Sequence, residues 1–195
     1  MSGPVVAEPP ARERALGALT GLALGDALGM PTQSMSPARI RRCYGEITGL
    51  RDAVAEQPIA PSAPAGTVTD DTEQALILAG LLIDGGGRID PHQLADALLR
   101  WEDDMRARGS LDLLGPSTKL ALERVRAGAD PHCTGRQGTT NGAAMRVAPV
   151  GIAFSLSADG DALARAVQAS CLVTHDTRQG FEAAGLLAAA VSAAI

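Results

Sequence analysis

Hydrophobic positions recur along most of this chain at intervals of three and four, the spacing of one face of a helix. Leu16, Leu19, Leu22 and Ala23 set a first helix from about Arg12 to the glycines between Gly25 and Gly29. Ser36 before Pro37 is a helix cap with proline in the first helical position, and it opens a short helix through Cys43. Residues 45 to 68 hold glycines and prolines but no period. That predicts a long loop, and long loops inside compact domains often carry function. The stretch TDDTEQALILAGLLID then predicts a helix ending near Asp84, before three glycines. Asp90-Pro91 starts another through about Arg106, and Pro116 one through about Arg126, with Gly128 as its stop. A loop with Gly135, Gly138 and Gly142 leads into a helix from about Asn141. The last two helices are expected over about Asp161 to Val173, and from His175 to the end. No segment alternates like a strand. The pattern predicts an all-α fold, one helical domain over residues 12–195 behind a flexible lead-in over residues 1–11.

Composition narrows the classes. The chain has 195 residues, enough for one domain with a sizeable core. Alanine, leucine and glycine dominate and aromatics are only 2%, which suits helices packed through small residues. The net charge is −5, with acids and arginines interspersed and Lys119 the only lysine. Without a basic stripe or aromatics to stack on, nucleic acid is not an expected partner. Cys43, Cys133 and Cys171 are widely spaced and form no CxxC pair. Together with an N-terminus too polar and proline-rich for a secretory signal, this predicts reduced thiols and a cytoplasmic location. The most apolar stretch, Ala183 to Ile195, is too short and alanine-rich to span a membrane. That last helix carries no charge after Glu182. A helix apolar nearly all round belongs inside a larger fold, so the chain is expected to be a fragment or to need a complementing segment or partner.

Four stretches hold candidate chemistry. Thr69, Asp70, Asp71 and Glu73 crowd the mouth of the third helix. Asp70 with Glu73 reads as a capping box, while Thr69, Asp70 and Asp71 read equally as hard oxygen ligands for a cation such as Mg²⁺. In GLALGDALGMPTQ, residues 21 to 33, glycines surround Asp26 at a helix end, which suits either a turn or the close approach of a ligand. In TTNGAAMRVAPVG, Asn141 or Thr140 caps a helix whose free N–H groups at Gly142 suit a phosphate. In VTHDTRQG, His175 heads the last helix, where the dipole favours a neutral imidazole. Ser117 and Thr118 read as first-turn residues or as cleft residues, and Trp101 as a buried indole beside a solvated acidic face. His92 and His132 each follow a proline and read as surface positions.

The order GDALGMPTQ, TVTDDTEQALIL, GPSTKLAL, TNGAAMRVAPVG, THDTRQG closely resembles the ADP-ribosylglycohydrolase family, from about Leu16 to the last residue. The resemblance implies a compact, orthogonal multi-helix bundle with two divalent cations, Mg²⁺ or Mn²⁺, in a cleft. Thr69, Asp70 and Asp71 match the family's first metal ligands, with Asp70 and Asp71 in the catalytic positions. Asp26, Gln33, Asn141, Gly142 and His175 fall where substrate is contacted. The implied reaction is hydrolysis at the ribose C1 of an ADP-ribosylated protein or a small ribosyl compound. The implied alternatives are an ADP-ribose-binding module and one half of a two-chain assembly. Two features depart from the family. Gln33 stands where glutamate is common, and an amide cannot act as a base. The closing motif Gly-Gly-Asp-x-Asp-Thr does not occur in these 195 residues, so the C-terminal helices of the fold are expected to be missing. The chain by itself is therefore expected to bind metal weakly and to release negligible ADP-ribose.

Overall fold

The computed structural model describes residues 10–108 and 114–195. The lead-in expected over residues 1–11 lies almost wholly outside them. Among the described residues all regular structure is helical. The long helices are α1 (Ala11–Gly29), α2 (Pro37–Tyr44), α3 (Asp70–Asp84), α4 (Pro91–Ala107) and α5 (Pro116–Arg126). Three short ones follow, α6 (Pro131–Thr134), α7 (Gly142–Met145) and α8 (Ala148–Ala153), and then α9 (Gly160–His175) and α10 (Arg178–Ala194).

The starts follow local chemistry. Ser36 and Asp90 accept the backbone N–H groups of Arg39 and Gln93, three residues on, and each cap is followed by proline. The interior is aliphatic. Leu78 and Leu82 of α3, Leu94 and Leu98 of α4, Leu122 of α5, Val150 of α8, and Val167 and Cys171 of α9 share one cluster with Ala184 and Ala188 of α10. Burying each leucine contributes about 2 kcal/mol. Small residues on α10 let it lie against α7, α8 and α9.

The long loop between α2 and α3 has no helix or strand, as its composition predicts, but it is not loose. The Tyr44 hydroxyl donates to Pro31 O at 3.0 Å and accepts from Val54 N at 2.9 Å. Gln57, buried within the loop, donates to the carbonyls of Met30 and Gln33. The loop is thereby tied to the single 3₁₀ turn Met30–Thr32 that continues α1.

The first helix ends at Gly29, among the glycines expected to close it. Leu16, expected on its apolar face, is 65% exposed. One boundary changes. His175 does not head the last helix; it is the final residue of α9, and α10 begins at Arg178. The last helix is also less covered than its composition suggests: it buries Gly180, Ala184 and Ala188, while Leu186 is 75% exposed.

Candidate functional site

The exit of α1, the mouth of α3 and the loop before α7 meet at one cleft. It has a volume of about 220 Å³ and is lined by Gln33, Asp70, Asp71, Thr118, Thr140, Asn141 and Gly142 among others. A neighbouring depression shares Gln33, Asp71 and Asn141 and adds Asp26 and Thr69. The expected residues Asp26, Gln33, Thr69, Asp70, Asp71, Asn141 and Gly142 thus line these two adjoining hollows, whereas His175 lines a separate one and reaches the cleft only through Thr140.

At the mouth of α3, the capping-box reading fails. Glu73 turns away to accept from Trp101 Nε1 at 2.5 Å and to pair with Arg108 at 3.2 Å. Thr69 occupies the cap position, but its side chain makes no capping bond. The cap comes instead from Asp26 on α1, 43 residues away. Asp26 Oδ2 accepts Thr69 N at 2.7 Å, Thr72 N at 3.2 Å and the Thr72 hydroxyl at 2.6 Å. Its Oδ1 accepts the Thr69 hydroxyl at 2.7 Å. Both carboxylate oxygens of Asp26 are therefore committed to holding α3, and this satisfies donors that every helix start leaves open. Asp70 and Asp71 need not cap, and both line the cleft.

The cluster is short of positive charge. Burial, then Asp71 and Asp26, raise the Asp70 carboxyl to about 7. Burial, then Asp26, raise Asp71. Gln33 Oε1 is buried and has no hydrogen-bond partner. The next residue, Ser34, holds φ at 59°, a left-handed conformation that few non-glycine residues adopt. An orphaned amide oxygen beside carboxylates that repel one another is a donor set suited to a hard cation.

The opposite wall depends on a buried arginine. Arg146 is fully buried, and burial lowers its pKa to about 10. It donates to Gln74 Oε1 at 3.0 Å, Ser170 O at 3.1 Å and Thr174 Oγ1 at 2.6 Å. Thr174 Oγ1 lies 2.8 Å from His175 Nδ1, and His175 Nε2 lies 2.9 Å from Thr140 Oγ1. Donor bookkeeping sets the direction of this chain. A guanidinium only donates, so Thr174 accepts from it, and of the two partners of this buried hydroxyl only Nδ1 can take its proton. Nε2 then carries the ring proton and donates to Thr140, which leaves the Thr140 hydroxyl proton for an acceptor in the cleft.

His175 is neutral as expected, but not because of a helix N-terminus. It sits in the last turn of α9, where a dipole would favour the cation. Burial, then Arg146, lower its pKa to about 4. Between the ordinary value of 6.5 and about 4, the unfolded chain takes up a proton that the folded chain does not. The stability that this depressed pKa governs is thus intact above pH 6.5 and is lost as the pH falls. The loss should be about 2 kcal/mol between pH 6.5 and 5. Asp70, raised to about 7, acts in the opposite sense over the same window, so urea unfolding at the two pH values should show His175→Gln gaining about 2 kcal/mol relative to the parent chain as the pH falls.

Local bonds fix the loop that carries Thr140 and Asn141. Ser117 Oγ accepts from Thr139 N at 3.2 Å and Thr140 N at 3.3 Å, while Thr118 lies buried against the cleft. Thr177, the true cap of α10, accepts Gly180 N and donates to Gly138 O at 2.6 Å. Asn141 stands at the cap position of α7 without a side-chain capping bond, so its amide faces the cleft uncommitted. At Gly142 a Cβ would stand 2.6 Å from His175 Cε1 and 3.1 Å from Thr118 Oγ1. Only glycine admits the imidazole there. Spacing gave no sign of Arg146, Gln74 or Gln57 as members of this region, since each is an ordinary polar residue in a helix or loop; Ser117, read as a first-turn or cleft residue, acts by holding the loop.

Residues 7–195 match the family model described as ADP-ribosylglycohydrolase. The uncharacterized protein YegU of Escherichia coli (strain K12) is 36% identical over 183 residues, 94% of this chain and 54% of its own length. The ADP-ribosylarginine hydrolase Tri1 of Pseudomonas putida (strain GB-1) is 32% identical over 194 residues, 95% of this chain and 47% of its own length. A solved structure titled "ADP-ribosylglycohydrolase-related protein complex" superposes with a TM-score of 0.69 at 32% identity, covering 91% of this chain and 54% of that one. The chain spans about half the length of the curated relatives it matches. The helix-only architecture, the order of the five motifs and the match over nearly every residue make this chain a member of the ADP-ribosylglycohydrolase family.

Proposed function

We propose that this chain forms the cation- and ADP-ribose-binding part of a hydrolase that cleaves the bond from ribose C1 to a modified side chain. The observation that carries the reading is the convergence of Asp70, Asp71 and the unpartnered Gln33 Oε1 on one cleft that Thr140 and Asn141 also line. Thr69, Asp70 and Asp71 would hold a hard dication, Mg²⁺ or Mn²⁺, with Gln33 as a neutral oxygen donor. When bound, the ion supplies charge to orient the ribose hydroxyls and to polarise the reacting centre. Ligands for the second ion implied by the family would come from a complementing segment, because Asp26 is already committed to α3.

The chain's own residues supply positioning and proton transfer. Thr140 donates its free hydroxyl proton, and Asn141 its amide, to oxygens of the ADP-ribose. His175 keeps Thr140 oriented, and Gly142 leaves room for that contact. Asp71, the less buried of the acid pair, accepts a proton from the water that adds at C1. The C1–N bond breaks as that water adds, and the leaving nitrogen takes the proton back. The Tri1 relative, named for ADP-ribosylarginine, supports an arginine side chain as the leaving group. An ADP-ribosylated protein is then the substrate, met in the cytoplasm. The neutral amide of Gln33 favours a second reading, binding of ADP-ribose without turnover.

Calorimetric titration with ADP-ribose, with and without Mn²⁺, tests the site. Binding should require Mn²⁺ and weaken about tenfold in Asn141→Ala, the loss of one or two hydrogen bonds to a charged ligand. Binding that ignores both Mn²⁺ and that substitution would remove the proposal. Release of ADP-ribose from an ADP-ribosyl-arginine peptide, followed in the same samples, separates hydrolysis from binding alone.

A further inference from the structure

We propose that His92, Asp130 and His132 form a second metal site, on the surface, for a nitrogen-preferring transition-metal dication of the Zn²⁺ class. One donor atom from each of the three residues lies within 4.8 Å of the others, and all three residues are exposed. None of them lines the cleft of Asp70 and Asp71. They come from two elements that pack together, the first turn of α4 and the start of α6.

The arrangement is already ordered toward an ion. His132 Nδ1 lies 2.9 Å from Asp130 Oδ1, and the same oxygen accepts His132 N at 3.0 Å. The ring of His132 is therefore held in place by its neighbour. The His92 ring stands 5.3 Å away, centre to centre, at 65°. Two zinc bonds of ~2.0 Å at a tetrahedral angle put their donors about 3.3 Å apart. The His132–Asp130 pair is within a few tenths of an ångström of that spacing, with a proton where the ion would sit. Exposed side chains can close the remaining gap to His92 by small rotations.

The donor set selects a metal unlike that of the cleft. Two imidazoles with one carboxylate favour Zn²⁺, Ni²⁺ or Cu²⁺, whereas the all-oxygen cleft favours Mg²⁺ or Mn²⁺. The fourth position stays with water. An ion here would clip α4 to α6. Thr134, the last residue of α6, donates to Val173 O at 2.7 Å and leads into the loop that carries Thr140 and Asn141. The clip would therefore brace the base of that loop.

The test is calorimetric titration of the whole chain with Zn²⁺ in the Asp71→Asn background, which disables the oxygen site. One equivalent should bind, and excess Mg²⁺ should not displace it. His92→Ala and His132→Ala should each weaken binding at least about tenfold. Cys133→Ser should leave it unchanged, as a control for the exposed thiol beside His132. All these side chains are exposed, so the variants keep the fold, and circular dichroism confirms it. Equal Zn²⁺ binding by the His92→Ala/His132→Ala double variant, or its loss in Cys133→Ser, would overturn the proposal.

Discussion

Asp71→Asn should abolish cation binding in the cleft and, without any cation, make the protein more stable. Burial first, and then repulsion among Asp70, Asp71 and Asp26 at the mouth of α3, raise the pKa of Asp70 and Asp71. Replacing one carboxylate by its isostere relieves the repulsion and keeps the shape. The gain should be roughly 0.5–1 kcal/mol, or about 2 °C in Tm for a chain of this size. Mn²⁺ should raise the Tm of the parent chain by binding the folded state alone, and should leave the variant unmoved. Differential scanning calorimetry in chelator and in Mn²⁺ gives four values whose pattern decides. A variant less stable in chelator, yet still stabilised by Mn²⁺, would mean that Asp71 is a packing residue and not a ligand.

Gly138→Ala should be the most damaging added methyl among the described glycines. A Cβ at Gly138 would run into Thr174 O, and would stand 2.7 Å from His175 Cα and 2.8 Å from Thr174 C. All three are backbone atoms of α9, so no rotamer change relieves the clash. Either α9 shifts, taking His175 with it, or the loop lifts and the bond from Thr177 to Gly138 O is lost. The expected cost is about 3 kcal/mol or more, a fall in Tm of about 6 °C or more, with ADP-ribose binding lost. Gly21→Ala is the matching control. Gly21 lies inside α1 with nothing within 4 Å of the added methyl, and the change should be neutral or stabilising by up to about 1 kcal/mol. Similar losses from both would mean that the close approach at Gly138 is not what the site depends on.

The helices were legible because their signals are local. Ser36-Pro37, Asp90-Pro91 and Pro116 announce starts within four residues, and the observed starts fall there. The α9–α10 break was misplaced because Thr174, Asp176 and Thr177 are all reasonable caps in a row. Only the bond from Thr177 to Gly138, 39 residues apart, singles one of them out. The site was legible as a set of motifs but not as a set of partnerships. Asp26 reads from its glycines as a turn or ligand-contacting residue, and nothing local shows that it holds Thr69 and Thr72. His175 looked governed by a helix dipole, yet burial and Arg146 govern it. Both relations join residues far apart in the chain, which no periodicity encodes.

Because Asp26 caps α3 from another helix, the backbone N–H groups of Thr69 and Thr72 keep their native acceptor only while α1 is docked. The positions of Asp70 and Asp71 are then an outcome of tertiary assembly and not of helix formation. During folding the cation cleft appears only after a closure across more than 40 residues, late relative to the helices themselves. In the native state, the backbone protons of Thr69 and Thr72 are released to solvent by any motion that lifts α1. The same opening would part the proposed ligands, so release of a bound cation and fraying of α3 are expected to coincide.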